Sequence, residues 1–190
     1  IIASGRLGRI CLAEAQLKYY RDQAYYDSAG WRGTWELDGG GALMNQGVHG
    51  VDLILWMLDD EIDTLYGRAD TLSRQIPVED TAAAVLGMKK GTLCVIEGAT
   101  TAYPGFSTTF AIHGEKGSIV FDDEGIRQWS FIDEQDAPPC PELGERVGGA
   151  KSAVDIGIYG HICLLRDIAQ AVKEDRERII PPWNADKAVQ

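Results

Sequence analysis

Beyond residue 63 the chain is cut at short intervals by Lys89-Lys90-Gly91, Glu115-Lys116-Gly117 and Asp123-Glu124-Gly125. Charged residues followed by glycine make exposed, tight corners, and the segments between them are short and rich in strand-forming side chains. That punctuation predicts an antiparallel meander running to about Phe131. Ahead of it, Arg9 to Tyr20 reads as a strand, with Leu17 and Tyr19 on one face and Lys18 and Tyr20 on the other. The stretch from Asp22 to Asp38 is polar and aromatic without a sustained period, so it reads as an irregular loop. Helical periodicity is expected from about Ala42 to Leu58 and again from about Gly157 to Lys173, before Pro181-Pro182. Asp133 to Ala150 carries Pro138, Pro139 and Pro141 and reads as a long surface loop, and a short last helix is expected from Asn184. The economical architecture is α+β: an open, mainly antiparallel (mixed) β-sheet with helices packed on one face. The bare face then calls for a second copy of the domain, giving a homodimer or homotetramer.

A length of 190 residues suits one large domain, able to bury roughly 70% of its unfolded surface. The formal net charge of -11 argues against nucleic acid and anionic membranes as partners, while local Arg and Lys still suit a small anion. Cys11, Cys94, Cys140 and Cys163 are widely spaced, with no C-x-x-C pair, and read as reduced thiols of a cytoplasmic protein. No apolar run approaches the ~20 residues of a membrane span, and no signal-peptide pattern opens the chain. Ile1-Ile2-Ala3-Ser4-Gly5 reads as the middle of a longer polypeptide, entered at the end of a helix.

The first long helix has two apolar stripes at about 100° per residue: Met44, Val48, Val51, Leu55 and Leu58, and Leu43, Gly47, Gly50, Ile54 and Met57. The two glycines in the second stripe leave room for close packing. Asn45, His49, Asp52 and Trp56 lie between the stripes. A helix apolar on two sides is largely buried, so its polar stripe faces internal partners or a cleft. Two readings fit. Asn45, His49 and Asp52 satisfy one another, or Asn45 and His49, neighbours at i, i+4, touch one ligand hydroxyl. In the second reading His49 is the base, histidine being the side chain whose ordinary titration range straddles neutrality. The amides around Asp38 to Gly41 form either a tight turn or an anion site. Trp31 offers a stacking face and Arg32 a donor to hydroxyls or a carboxylate, or both are merely exposed loop residues.

Trp31-Arg32-Gly33, followed by Asp38-Gly39-Gly40-Gly41-Ala42-Leu43-Met44-Asn45-Gln46-Gly47-Val48-His49-Gly50-Val51-Asp52, resembles the carboxy-terminal domain of the Gfo/Idh/MocA oxidoreductases. The similarity continues in Gly5-Arg6-Leu7-Gly8-Arg9-Ile10, which is similar to the junction leaving that family's Rossmann domain. Val78 to Ala82 and Gly114 to Ile119 resemble its later strands, and Gly160 to Pro182 its last long helix. The resemblance implies a domain like the carboxy-terminal domain of glyceraldehyde-3-phosphate dehydrogenase. Residues 1–190 are then a single substrate-binding and oligomerisation domain, with the amino-terminal Rossmann domain absent from this chain. It further implies an NAD- or NADP-dependent enzyme acting on a sugar, polyol or sugar nucleotide. His49 falls on the family's catalytic histidine, and Asn45 falls where many members carry an aspartate. Asparagine cannot take up a proton, so Asn45 is expected to orient the substrate or the histidine. Trp31, Arg32, Tyr19 and His161 are the expected substrate contacts. The family's lysine, in a Glu-Lys-Pro motif of the Rossmann domain, has no counterpart here.

Other features carry less. No G-x-G-x-x-G is present, so the cofactor phosphates are expected to be bound elsewhere. Adjacent Glu79 and Asp80 on a strand would point to opposite faces, which suits structural roles. Asp122-Asp123-Glu124 lacks calcium-loop spacing, no His/Cys/Asp cluster has zinc spacing, and His113 borders a hairpin. His161 sits at the edge of an apolar stripe and reads first as a packed residue. The leading expectation is a domain of a sugar oxidoreductase, inactive alone. The alternatives are a non-enzymatic binding or assembly module, or an NAD-dependent glycosidase of the same superfamily.

Overall fold

A computed structural model of the chain describes residues 1–135, 137–141, 159–179 and 189. In chain order the elements are β1 (Ile10–Lys18), α1 (Gln23–Asp27), a π-helical turn (Ala42–Gly47) that runs on into α2 (Val48–Leu58), β2 (Ile62–Asp70), β3 (Thr81–Met88), β4 (Leu93–Ala99), β5 (Thr109–Gly114), β6 (Gly117–Asp122), β7 (Gly125–Phe131) and α3 (Tyr159–Glu174). The seven strands make one sheet in the order β2-β3-β4-β1-β5-β6-β7. All three glycine corners read from the sequence close hairpins. The meander itself is interrupted, because β1 lies between β4 and β5, parallel to the first and antiparallel to the second. The hairpin signals specify only tight turns, whereas the nine residues from 100 to 108 easily step over one strand at about 4.8 Å per spacing.

One face of the sheet is the core. Ala13, Ala15 and Leu17 of β1 are fully buried there, with Leu86, Cys94, Ile96, Phe110, Ile112 and Ile119 from the neighbouring strands. α2 covers this layer through Ile54 and Leu58. Its approach depends on small residues: a Cβ at Gly50 would stand 2.3 Å from Leu17 Cδ2, and one at Gly98 would stand 2.4 Å from Leu43 Cδ2. The expected close packing through Gly47 and Gly50 is therefore present. The opposite face carries Glu14 and Val95 side by side at its centre, with Val85 and Tyr66 continuing the row toward the β2 edge. No described helix packs on it. α3 exposes Leu164, Leu165 and Val172.

Two local readings are revised. The stretch from Asp22 to Asp38 is not wholly irregular, since Asp22 accepts a hydrogen bond from the Tyr25 amide (2.8 Å) and caps α1, as acidic N-caps do. The first long helix is not uniformly α. Its opening turn is π, and Gly47 permits the widening, because a Cβ there would lie 3.0 Å from the Ala42 carbonyl oxygen. Each π residue turns through less than the α step, so Asn45 and His49 do not sit on the single narrow arc that uniform α geometry implies. The expected helix at Asn184 and most of the expected loop from Asp133 to Ala150 lie outside the described residues.

Candidate functional site

The glycine run does not leave its amides free. The Glu79 carboxylate accepts from the Gly41 and Leu43 amides, at 3.0 Å each, while its main-chain carbonyl accepts from Ala42 at 2.9 Å. A carboxylate at the positive end of a helix is favourable, and here the chain supplies its own. The anion site considered at this turn is thus filled internally. Gly41 is required for it, since a Cβ would stand 1.8 Å from the Glu79 carbonyl oxygen. Asp80, next in sequence, is also structural. Burial by itself would raise its carboxyl, but hydrogen bonds from the Leu72, Ser73 and Arg74 amides and the Thr81 hydroxyl outweigh that and hold it below the usual range.

From this anchored turn a polar chain runs outward. The Asn45 side-chain amide donates to Asp38, whose other oxygen accepts from the Gly33 amide at 2.7 Å. The Asn45 carbonyl oxygen accepts from Gln46 at 2.8 Å, and the same Gln46 nitrogen reaches the Tyr25 hydroxyl at 3.2 Å. The Arg32 guanidinium lies over the Tyr25 ring at 4.1 Å and the Trp31 ring at 4.7 Å, a geometry that attracts a cation to the ring face. Trp31, Arg32 and Asn45 are therefore brought into one continuous cluster. Tyr25, Asp38 and Gln46 join them; Asp38 was considered from the sequence only for its backbone amide, and Tyr25 and Gln46 were not marked as functional. Gln46 adjoins a marked residue and Asp38 precedes the glycines, but Tyr25 had no signal: it reaches the site only because α1 forms.

His49 sits in the first turn of α2, exposed, one turn beyond Asn45. No hydrogen bond joins it to Asn45 or Asp52 among the described residues, so mutual satisfaction of the three is not what holds them. Asp52 and Trp56 instead line a cleft of about 910 Å³ at the far end of α2, walled by Ile112, Phe121 and Trp129. That cleft contains none of His49, Asn45, Trp31 or Arg32. Tyr19 belongs to the core, 8% exposed, with its hydroxyl on Thr108 at 2.9 Å and its ionisation pushed up by burial. His161 is exposed on α3 rather than packed. Neither is in contact with the Asn45 cluster in the hydrogen bonds and ring contacts of the described residues. Tyr26, buried beneath the cluster, donates to Thr100 at 2.9 Å and fixes the loop floor. Its hydroxyl is pushed up by burial.

Among the described residues no group of three or more His, Cys, Asp or Glu is placed to hold a metal, and no helix is long and apolar enough to cross a membrane. A dinucleotide does not fit the glycine-rich turn either, because Glu79 already occupies its amides.

Comparison with known proteins matches residues 1–120 to the GFO/IDH/MocA C-terminal domain. No curated protein sequence matches the chain. Among solved structures, the WlbA dehydrogenase from Bordetella pertussis, in complex with NADH and UDP-GlcNAcA, is 28% identical and superposes with a TM-score of 0.78, over 99% of this chain and 51% of that one. Levoglucosan dehydrogenase, in complex with NADH and levoglucosan, shares the fold at 23% identity and a TM-score of 0.74, over 98% and 55%. An oxidoreductase domain protein from Kribbella flavida does so at 23% and 0.68, over 98% and 55%. The chain thus spans about half the length of these structures. The match over residues 1–120, on a sheet whose central strand is flanked as described, makes this chain a member of the GFO/IDH/MocA C-terminal domain family.

Proposed function

We propose that the chain is the substrate-binding and oligomerisation domain of an NAD- or NADP-dependent oxidoreductase acting on a sugar, polyol or sugar nucleotide. The observation that carries this reading is the convergence of Asn45, Gln46, Tyr25, Arg32 and Trp31 in one cluster, with His49 exposed one helical turn beyond Asn45. Such a surface combines an aromatic face, hydroxyl-binding amides and a base. Those are the elements that a polyhydroxylated ligand needs. The sugar nucleotide in the Bordetella WlbA complex favours substrates of that kind.

In this mechanism His49 accepts the proton of the reacting hydroxyl as the carbon beneath it is oxidised. Nicotinamide, held by a Rossmann domain outside this chain, supplies the hydride acceptor. Asn45 holds no proton in the exchange. Its amide nitrogen is fixed on Asp38, which turns the carbonyl oxygen toward Gln46 and the substrate side. Trp31 stacks on the sugar face, with Arg32 beside it. Tyr19 supports the floor through Thr108, and His161 on α3 completes the expected substrate contacts. The exposed sheet face pairs with a second copy, and the domain by itself is inactive.

The test is a screen of the full-length protein with NAD and with NADP against neutral sugars, polyols and nucleotide sugars, read by nicotinamide reduction. Turnover of at least one class is expected. Binding of sugars without any redox change would replace this reading with a non-enzymatic binding module.

A further inference from the structure

Several cations of this acidic chain are matched by carboxylates: Arg9 by Glu115, Lys18 by Glu97, Lys89 by Glu61, Arg127 by Asp122. Arg21, Arg32 and Arg74 are different. They gather around two tyrosines at the carboxyl end of β1, and none has an ion pair among the described residues. Arg21 and Arg32 both lie over Tyr25, at 5.4 and 4.1 Å. Arg74 lies over Tyr20 at 5.4 Å and donates through Nε to the Arg21 carbonyl at 2.7 Å. Three carboxylates in the same loops are already engaged. Asp22 caps α1, Asp38 is held by Asn45 and Gly33, and Asp80 takes three amides.

Arg32 is the sharpest case. Its Nε is buried without a partner, and its terminal nitrogens donate to no acceptor among the described residues. The two aromatic rings hold its plane, so a rigid fork of donors faces outward. Arg21 also has a buried Nε without a partner, with only Nη1 engaged, on the Tyr20 carbonyl at 2.8 Å. Two guanidinium groups packed on one ring repel each other, and an oxyanion held by the terminal nitrogens of Arg32 would relieve that repulsion and supply the acceptor they lack.

We propose that Arg32, together with Arg21, forms an oxyanion subsite that holds a carboxylate or phosphate of the substrate. Gln46 links the subsite to Asn45 through Tyr25, and so sets the distance between the anionic group and the hydroxyl that meets His49. The substrate is then an acidic or phosphorylated sugar rather than a neutral polyol. This rests on the dehydrogenase reading for the placement of the reacting hydroxyl.

Calorimetric titration of the full-length protein with UDP-glucuronate and with UDP-glucose, in the presence of NADH, tests it. Both nucleotides weaken by roughly tenfold or more in Arg32→Gln if the phosphate is the group held, and UDP-glucuronate alone weakens if the sugar carboxylate is held. Arg21→Gln shows the same pattern more weakly. A thermal unfolding midpoint within about 3 °C of that of the unaltered protein reports an intact fold in each variant. Should Arg32→Gln lose it, Arg32→Lys carries the test, because it keeps the charge but not the planar fork and still weakens the same ligands several-fold. Affinities within about twofold of the unaltered protein in the folded variants overturn the proposal, as does failure of both nucleotides to bind the unaltered protein at millimolar concentration. Arg32-dependent binding without nicotinamide reduction by any sugar would sink the dehydrogenase reading and leave the subsite standing. Turnover of a neutral polyol with Arg32→Gln silent would do the reverse.

Discussion

Glu79 ties the site to the sheet, and its removal has a calculable local effect. The carboxylate accepts two amides of the π turn at 3.0 Å each, from Gly41 and Leu43. Hydrogen bonds to a charged acceptor contribute about 1.5–3 kcal/mol each when well enclosed. Acidic caps measured by replacement with alanine lie nearer 0.5–2 kcal/mol. Glu79 is partly exposed, so about 2–3 kcal/mol for the pair is reasonable. The main-chain bond from the Ala42 amide to the Glu79 carbonyl survives, so the turn should fray and not dissolve. In Glu79→Ala, amide exchange across residues 41–49 should accelerate about 30–150-fold, at 1.4 kcal/mol per factor of ten. Glu79→Gln, which keeps one carbonyl acceptor, should show a smaller acceleration. Gly41→Ala should exceed both, because its Cβ has no space beside the Glu79 carbonyl. Exchange measured by mass spectrometry on the full-length protein decides. Protection unchanged within about threefold in Glu79→Ala would refute the capping argument.

Three further outcomes follow from the same structure. Asp80→Asn should cost about 2–4 kcal/mol near neutral pH. The carboxyl is held below its ordinary value, so its contribution is complete above the unfolded pKa of about 3.9 and fades as pH falls through the lower folded value. Thermal unfolding should show the gap between variant and unaltered protein narrowing below about pH 3.5, and a constant gap contradicts this. Burial pushes the Cys94 thiol up to about 12, so iodoacetamide at about pH 8 should spare it in the native protein and label it in urea. Labelling as fast as at exposed Cys11 would show that the core layer opens. Sedimentation should give a dimer or tetramer, weakened by Val95→Asp beside Glu14 at the centre of the open face, whereas a monomer at micromolar concentration speaks against pairing through that face.

The fold was largely readable because its signals are local. Alternating burial in β1, the three charged-glycine corners and the paired glycines Gly47 and Gly50 each act over a few residues. The insertion of β1 between β4 and β5 was not readable, since period-two patterning fixes which face is buried and not which strand is the neighbour. Residue types at the site were equally plain: Trp31, Arg32, Asn45 and His49 stood out. Their wiring did not. The π turn changes the phase of Asn45 against His49, and it depends on Glu79, 38 positions from Gly41. Tyr25 acquires its place from a five-residue helix too short to show periodicity. The Asp52 and Trp56 ends of the polar stripe turn to a separate cleft because the stripe is longer than the site.

The central claim is that His49 is the base for oxidation of a substrate hydroxyl. It is tested most directly by steady-state kinetics of His49→Ala in the full-length protein, with NADH affinity measured beside them. Loss of general-base catalysis should lower kcat by about 10²–10⁴-fold while the Kd for NADH stays within about twofold. Turnover within a factor of three or so of the unaltered enzyme would remove His49 from the mechanism.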